Sequence, residues 1–117
     1  MKIKAAPARS ITLEQYLAEG EQKFGPDRMN WRFVCPSCGH VASAAEYKAA
    51  GAPEGAIGFS CIGRWVGAKI DAFEKGEGPC NYAGGGLFNI NPVEITGRSK
   101  PFFFFEFAEV EAIQNES

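Results

Sequence analysis

The residues best equipped for chemistry are four cysteines, Cys35, Cys38, Cys61 and Cys80, together with a single histidine, His40. Cys35 and Cys38 stand in the run Cys35-Pro36-Ser37-Cys38-Gly39-His40. Two residues between thiols let both sulfurs reach one ion if the chain turns sharply. Pro36 pre-sets a turn dihedral, and Gly39 accepts the left-handed conformation just after the second ligand. Amide N–H groups in such a turn point at the sulfurs and offset their negative charge. Zinc takes about four N or S donors in a tetrahedron, with Zn–S near 2.3 Å, so the run reads as a zinc knuckle. The other half is less regular. A zinc ribbon repeats the knuckle after roughly 15 to 20 residues. Here Cys61 comes alone, in Phe59-Ser60-Cys61-Ile62-Gly63, and Cys80 follows after eighteen intervening residues, in Gly78-Pro79-Cys80-Asn81-Tyr82. Two loops converging on the knuckle would complete the set. One structural zinc held by Cys35, Cys38, Cys61 and Cys80 is the expectation.

Other chemistries compete for the same residues. His40 can replace one cysteine as a ligand, although its place directly after Gly39 puts it beside the knuckle. A redox Cys-x-x-Cys needs its first cysteine at a helix N-terminus, and Gly39 and His40 intervene before any helix. Iron–sulfur ligation by four cysteines is open on donor type alone. A catalytic cysteine requires a base within reach, and His40 is the one histidine available. Zinc catalysis requires an open coordination position, which four protein ligands close. The expectation is therefore a protein without catalysis.

The elements that must position these residues can be sketched from pattern. Thr12 and Gln15 form a capping box at the start of a helix. Ile11 is placed to staple against Tyr16, Leu13, Tyr16, Leu17 and Phe24 fall near one face, and Gly25-Pro26 stops the run. Gly20 inside this helix costs roughly 1 kcal/mol against alanine. Trp31 to Val34 alternates as a strand leading into Cys35, and Val41-Ala42 begins a return strand. Ser43 with Glu46 caps a second, short helix that Gly51 closes. Ala56 to Cys61 reads as a further strand. The stretch from Trp65 to Pro79 reads either as a short helix over 68–73 or as a long loop. Leu87 to Ile90 and Val93 to Ile95 read as strand, with Pro92 indicating an edge or a bulge. A turn at 96–100 leads to a last strand over Phe102 to Phe107, and the first ten residues look loosely ordered.

At 117 residues the chain fits one domain, expected as an N-terminal segment and helix over 1–28, a zinc-bound β core over 30–107 and an acidic tail over 108–117. The fold class is α+β: a small antiparallel sheet with a zinc-ribbon-like four-cysteine site and an N-terminal helix. Apolar residues make up 45% of the chain and include ten phenylalanines, enough for a modest core that a metal would help to hold. No run approaches the roughly 20 apolar residues of a membrane-spanning helix, and the N-terminus lacks the apolar stretch of a secretion signal. A cytoplasmic chain with reduced thiols is the expectation. The formal charge is −2 and the pI about 5.4. Four thiolates and one Zn²⁺ would take the charge to about −4, which does not favour nucleic acid.

Three further features bear on partners. Phe102 to Phe105 reads either as a strand buried on both faces or as an alternation. In the second case Phe103, Phe105 and Phe107 face the core, while Phe102 and Phe104 form a protein-binding patch. Arg32, Arg64, Arg98 and Lys100 with Trp31 and Trp65 are the residues from which a nucleic-acid stacking surface would be built. Gly84-Gly85-Gly86 lacks the lysine and helix of a phosphate cradle, and indicates a tight bend or a close backbone approach.

With the Cys-Pro-Ser-Cys-Gly-His run, Gly58-Phe59-Ser60-Cys61-Ile62-Gly63-Arg64 and Gly84-Gly85-Gly86-Leu87-Phe88 in view, the chain resembles a small family of uncharacterised phage and prophage proteins. That family carries a Cys-Pro-x-Cys-Gly knuckle, a Gly-Phe-Ser-Cys-Ile-Gly-Arg block, a Gly-Cys-Asn-Trp-like segment, Gly-Gly-Leu-Phe and a Pro-x-Phe-Glu-Phe-Ala-like end. The likeness runs from about Trp31 to Ala108, and Pro79-Cys80-Asn81-Tyr82 departs from Gly-Cys-Asn-Trp while keeping the cysteine and an aromatic. The resemblance implies a phage-derived origin and a shared cysteine framework, but no activity. The expected role is an accessory protein in the host bacterial cell that binds a host or phage protein through Phe102, Phe104, Arg64 and Trp65. Inhibition of a defence system such as CRISPR is one use of such binding. The alternative is a nucleic-acid-binding zinc ribbon in phage transcription or replication.

Overall fold

The computed structural model describes residues 8–85, 89–97, 99–100 and 102–109. It is a mixed α+β architecture; among the described residues, six short strands form two three-stranded sheets beside three α-helices. Strand β1 (Arg9–Thr12) runs into helix α1 (Leu13–Phe24), and β2 (Arg32–Val34) returns as β3 (Val41–Ser43) into α2 (Ala44–Ala49). Then follow α3 (Gly63–Val66), β4 (Val93–Thr96), β5 (Phe102–Phe104) and β6 (Glu106–Phe107).

Both capping boxes form as expected. The Thr12 hydroxyl accepts from the Gln15 N–H while the Gln15 side chain accepts from the Thr12 N–H, and Ser43 with Glu46 repeats the arrangement. Each box satisfies two backbone donors that a helix start otherwise leaves open. Gly25 ends α1 at φ 93°. Gly20, costly for a helix in isolation, is explained by packing: a Cβ there would run into the ring of Trp31, whose own indole N–H donates to the Gly25 carbonyl at 2.9 Å. The core gathers around Phe107. Its ring stacks on Tyr16 at 4.6 Å and meets Trp31, Phe33 and Phe24 at 5.8, 5.6 and 5.9 Å. Aromatic pairs at such separations each add about 0.5–1.5 kcal/mol beyond area burial.

Several expectations are corrected. One sheet, ordered β3-β2-β6, is antiparallel; the other, ordered β1-β4-β5, contains a parallel pair, because β1 aligns Arg9 with Val93 and Thr12 with Thr96. Arg9 and Ser10 are thus ordered in a strand with Ile11 and Thr12 instead of belonging to a loose leader. Its partner lies more than eighty positions away, which no local pattern displays. Strand β4 is central instead of an edge: Pro92 sits just before it and its carbonyl accepts from the Ala8 and Arg9 N–H groups. Residues 56–61 form turns instead of a strand. The Phe59 and Ser60 N–H groups both donate to the Ala56 carbonyl, and Gly58 at φ 68° presses against Phe33. Residues 67–79 are a loop, and the short α3 precedes it. Asn89 and Ile90 are not in a strand; Leu87, Phe88, Gly86, Arg98 and residues 110–117 lie outside the described residues.

The phenylalanine run divides at Phe105. Residues Phe102–Phe104 belong to one sheet, Glu106–Phe107 to the other, and Phe105 alone makes the crossing. Its N–H donates to the Gly58 carbonyl at 2.7 Å, and its carbonyl accepts from the Tyr16 hydroxyl at 2.9 Å. With its backbone engaged outside either ladder, neither the strand buried on both faces nor the alternation over 102–107 carries through. Phe105 and Phe107 are buried, Phe103 and Phe104 are half-buried, and Phe102 is 43% exposed.

Candidate metal centre

Strand β2 delivers Cys35 and β3 leaves from His40, so the knuckle is the turn of a hairpin. The Cys35 N–H donates to the His40 carbonyl at 3.0 Å, and the Gly39 N–H to the Cys35 carbonyl at 2.9 Å. Gly39 takes φ 80°, the left-handed value that the turn requires. The Ser37 N–H points at the Cys35 sulfur from 3.4 Å, as a knuckle amide should.

The other two ligands come from separate loops that lie side by side. The Cys61 N–H donates to the Tyr82 carbonyl at 2.9 Å, and the Tyr82 N–H approaches the Cys80 sulfur at 3.4 Å. Cys61-Ile62-Gly63 and Cys80-Asn81-Tyr82 thus act as two half-knuckles in contact. Close approach depends on two glycines. A Cβ at Gly63 would strike the Cys80 carbonyl, and one at Gly78 would strike the Cys38 sulfur. The Gly78–Pro79 peptide is cis. The loop between the half-knuckles is clipped at three places. Asn81 accepts from the Ala72 N–H and donates to Asp71, the Phe73 N–H donates to the Ser37 hydroxyl at 2.8 Å, and the Lys69 N–H donates to the Pro79 carbonyl at 2.8 Å. Beneath Cys61, the Tyr47 hydroxyl donates to the Ser60 carbonyl at 2.7 Å.

All four sulfurs lie within 4.8 Å of one another. Cys35 and Cys80 are 3.9 Å apart, and Cys38 and Cys61 3.8 Å. A tetrahedron with Zn–S of about 2.3 Å has an edge of about 3.8 Å, and a disulfide would need about 2.05 Å. The cysteines are free, and their spacing fits a tetrahedral metal ion. A proton shared from Cys35, with N–H groups of Gly63 and Cys80, holds the Cys61 thiol below its ordinary range against the opposing effect of burial. The same sharing, reinforced by burial, pushes Cys35 up. The cluster is therefore ready to form a first thiolate, and a bound cation would draw off the remaining protons. His40 contributes its carbonyl to the knuckle and is not among the ligand atoms of the cluster.

The expected contact residues stand on other elements. Arg64 is exposed on α3 with its guanidinium 5.3 Å from the half-buried Trp65 ring, while Phe102 and Phe104 lie on β5, the outer strand of the β1-β4-β5 sheet. Phe102 and Phe104 share a shallow hollow with Leu13 and Ile95, and Phe104 also stacks on Tyr16 at 5.1 Å. Trp31 is 4% exposed and belongs to the core, so it cannot join a stacking surface. Gly84 makes the expected close approach: a Cβ there would meet the Phe59 carbonyl, and its N–H donates to the Ser60 hydroxyl at 3.0 Å. Gly63, Gly78, Tyr47 and Asn81 frame the centre without having been singled out from sequence. For Gly63, Gly78 and Asn81 the one visible signal is their place within two residues of Cys61 or Cys80; Tyr47, thirteen positions from Ser60, has none. Among the described residues, no helix is long and apolar enough to cross a membrane.

Comparison with curated proteins and with solved structures finds no match. A family model, VVA0879-like, matches residues 12–108, a span that takes in both sheets from Thr12 onward and all four cysteines. The chain belongs to the VVA0879-like family.

Proposed function

We propose that this chain is a non-catalytic, phage-encoded accessory protein whose fold is held by one structural zinc and whose surface binds a host or phage protein. The observation that carries the reading is the four-sulfur set itself, with all ligand atoms within 4.8 Å and three of the four residues buried. Four thiolates fill a zinc tetrahedron and leave no position for water or substrate, which is the pattern of structural rather than catalytic zinc. The phage origin rests on the run of motifs from the knuckle to the Phe-Glu-Phe-Ala end. Phe102, exposed on an outer strand beside Phe104, supplies the aromatic anchor that protein interfaces favour. Inhibition of a bacterial defence system is one role such a protein fills in the host cytoplasm. A nucleic-acid role retains Arg64 and Trp65 but loses Trp31 to the core, and the net charge of −2 opposes it.

Native mass spectrometry of the purified chain tests the metal. One zinc per chain, lost together with the fold on chelation, is expected; a folded, metal-free chain with free thiols would refute it. Capture from host lysate with and without nuclease tests the partner. Binding that survives nuclease and is lost in Phe102→Glu supports a protein partner. Binding that nuclease abolishes supports the nucleic-acid reading.

A further inference from the structure

The four sulfurs differ in access. Cys35, Cys61 and Cys80 are 2%, 1% and 0% exposed, whereas Cys38 is partly exposed. Within a cluster whose sulfurs all lie within 4.8 Å of one another, Cys38 is 3.8 Å from Cys61 and Cys35 is 3.9 Å from Cys80. Each pair joins the knuckle to one half-knuckle. Zinc-bound thiolates remain nucleophilic, and among equivalent thiolates oxidation follows exposure. On one side the Cys38 sulfur packs directly against Gly78, where a Cβ would collide with it, so its exposure lies on the remaining side.

We infer that the centre is a peroxide-sensitive switch in which Cys38 reacts first, closes a disulfide with Cys61 and expels the metal. The inference rests on the zinc reading above. In the first step the Cys38 thiolate attacks one oxygen of hydrogen peroxide. The O–O bond breaks, the sulfur is oxidised to a sulfenic acid, and the departing hydroxide takes a proton to leave as water. In the second step the Cys61 thiolate attacks the Cys38 sulfur. An S–S bond forms, the S–O bond breaks, and hydroxide again leaves as water with a proton from solvent. Two thiolates have then lost two electrons in total, and one peroxide has become two waters. The ion, left with Cys35 and Cys80, is released, and these two thiolates take up protons.

The structural effect is directional, because the disulfide replaces only part of the metal's hold. The Cys38–Cys61 bond keeps Cys61 on the knuckle, while Cys80 loses its tie to it. The loop over 67–79 is then held by the Phe73–Ser37, Asn81–Asp71, Asn81–Ala72 and Lys69–Pro79 hydrogen bonds.

The test uses the zinc-loaded full chain, titrated with hydrogen peroxide and followed by native mass spectrometry and a chromophoric zinc indicator. Non-reducing peptide mapping then locates the disulfides. Exposed Met29 serves as an internal standard, because its sulfoxide marks the dose at which accessible sulfur is oxidised. Release of one zinc per chain before Met29 oxidises is expected, with the mass of the protein part lower by two hydrogens and Cys38–Cys61 as the first linked peptide. Zinc retained after Met29 is fully oxidised overturns the switch and leaves the zinc reading standing. A first disulfide that lacks Cys38 overturns it as well. A folded chain that carries no zinc before peroxide overturns the zinc reading itself, so the two failures are told apart.

Discussion

The two halves of the cysteine cluster are built on different principles. Cys35 and Cys38 belong to six consecutive residues whose backbone hydrogen bonds close on themselves between β2 and β3. Their geometry is local, and the spacing Cys-Pro-Ser-Cys-Gly is enough to specify it. Cys61 and Cys80 reach the same centre from loops eighteen residues apart. They are placed by a long-range hydrogen bond from Cys61 to Tyr82 and by two glycines that allow backbone and sulfur to come together. One half is dictated by turn chemistry, the other by what would collide. With the proposed metal bound, a split site of this kind would depend on that metal and on steric permission more heavily than a repeated knuckle would.

Removing the metal is the harshest test of that contrast. Binding free energy on the order of 10 kcal/mol accompanies structural zinc, so chelation should unfold the chain, seen as loss of near-ultraviolet circular dichroism. If hydrogen exchange instead showed the β2–β3 hairpin and the residues 61–82 persisting equally without metal, the proposed dependence of the split half would fail.

Glycine substitutions sharpen the comparison next. Gly63→Ala and Gly78→Ala should each destabilise by about 3 kcal/mol, the range of severe overpacking. Gly39→Ala meets no neighbour within 4 Å and suffers only its left-handed φ, so about 1 kcal/mol is expected. Urea titration of the three zinc-loaded variants gives the order. A Gly39 effect as large as the other two would mean that the knuckle turn, and not the close approach, limits the site.

Tyrosines give a third, smaller test. Burial raises the Tyr47 and Tyr16 phenols above their ordinary range, with the neighbouring Cys61 and Glu106 charges adding to the shift. Each O–H donates to a carbonyl, at Ser60 and at Phe105. A folded pKa above the unfolded value of about 10 means that the contribution is complete below pH 10 and is lost as pH rises through the folded value. Stability should therefore be flat with respect to these groups from pH 7 to about 10 and fall above it. Tyr47→Phe should cost about 1–2 kcal/mol at pH 7 and flatten the alkaline limb, since it leaves the Ser60 carbonyl behind Cys61 without its donor. Equal alkaline limbs in the variant and the parent would remove Tyr47 from this account.

At the small end, Phe102→Ser should change stability by less than about 0.5 kcal/mol, as exposed positions usually do. Phe104→Ser, which loses the Tyr16 stack, should cost clearly more. Thermal unfolding of both variants distinguishes a surface aromatic from a structural one on the same strand.

What could be read from the sequence follows the same division. The capping boxes at Thr12 and Ser43, the β2–β3 hairpin and the knuckle are short-range, and each was expected from residues within about a dozen positions of one another. The four cysteines were legible as one cluster from ligand type and count. Hidden were relationships that no window spans, β1 beside β4 and β4 at the centre of a sheet despite Pro92; the turns over 56–61 were missed for a different reason, because local hydrogen bonds to Ala56 displaced a strand. Gly20 in α1 reads as a defect until Trp31 is seen against it. The phenylalanine run misled for a related reason. Alternation holds only while the backbone stays in one ladder, and Phe105 leaves both.

That crossing has a consequence for how the chain reaches its final shape. Residues 102–104 complete one sheet and 106–107 the other, so both wait for the same short stretch to arrive. During vectorial synthesis, β1 and β2 emerge long before any of β4, β5 or β6, and the closing contacts span most of the chain. High contact order of this kind slows folding. The nascent chain can form the β2–β3 hairpin and gather its four thiols early. The aromatic core around Phe107 closes only when the last strand has left the ribosome. Neither sheet is finished ahead of the other.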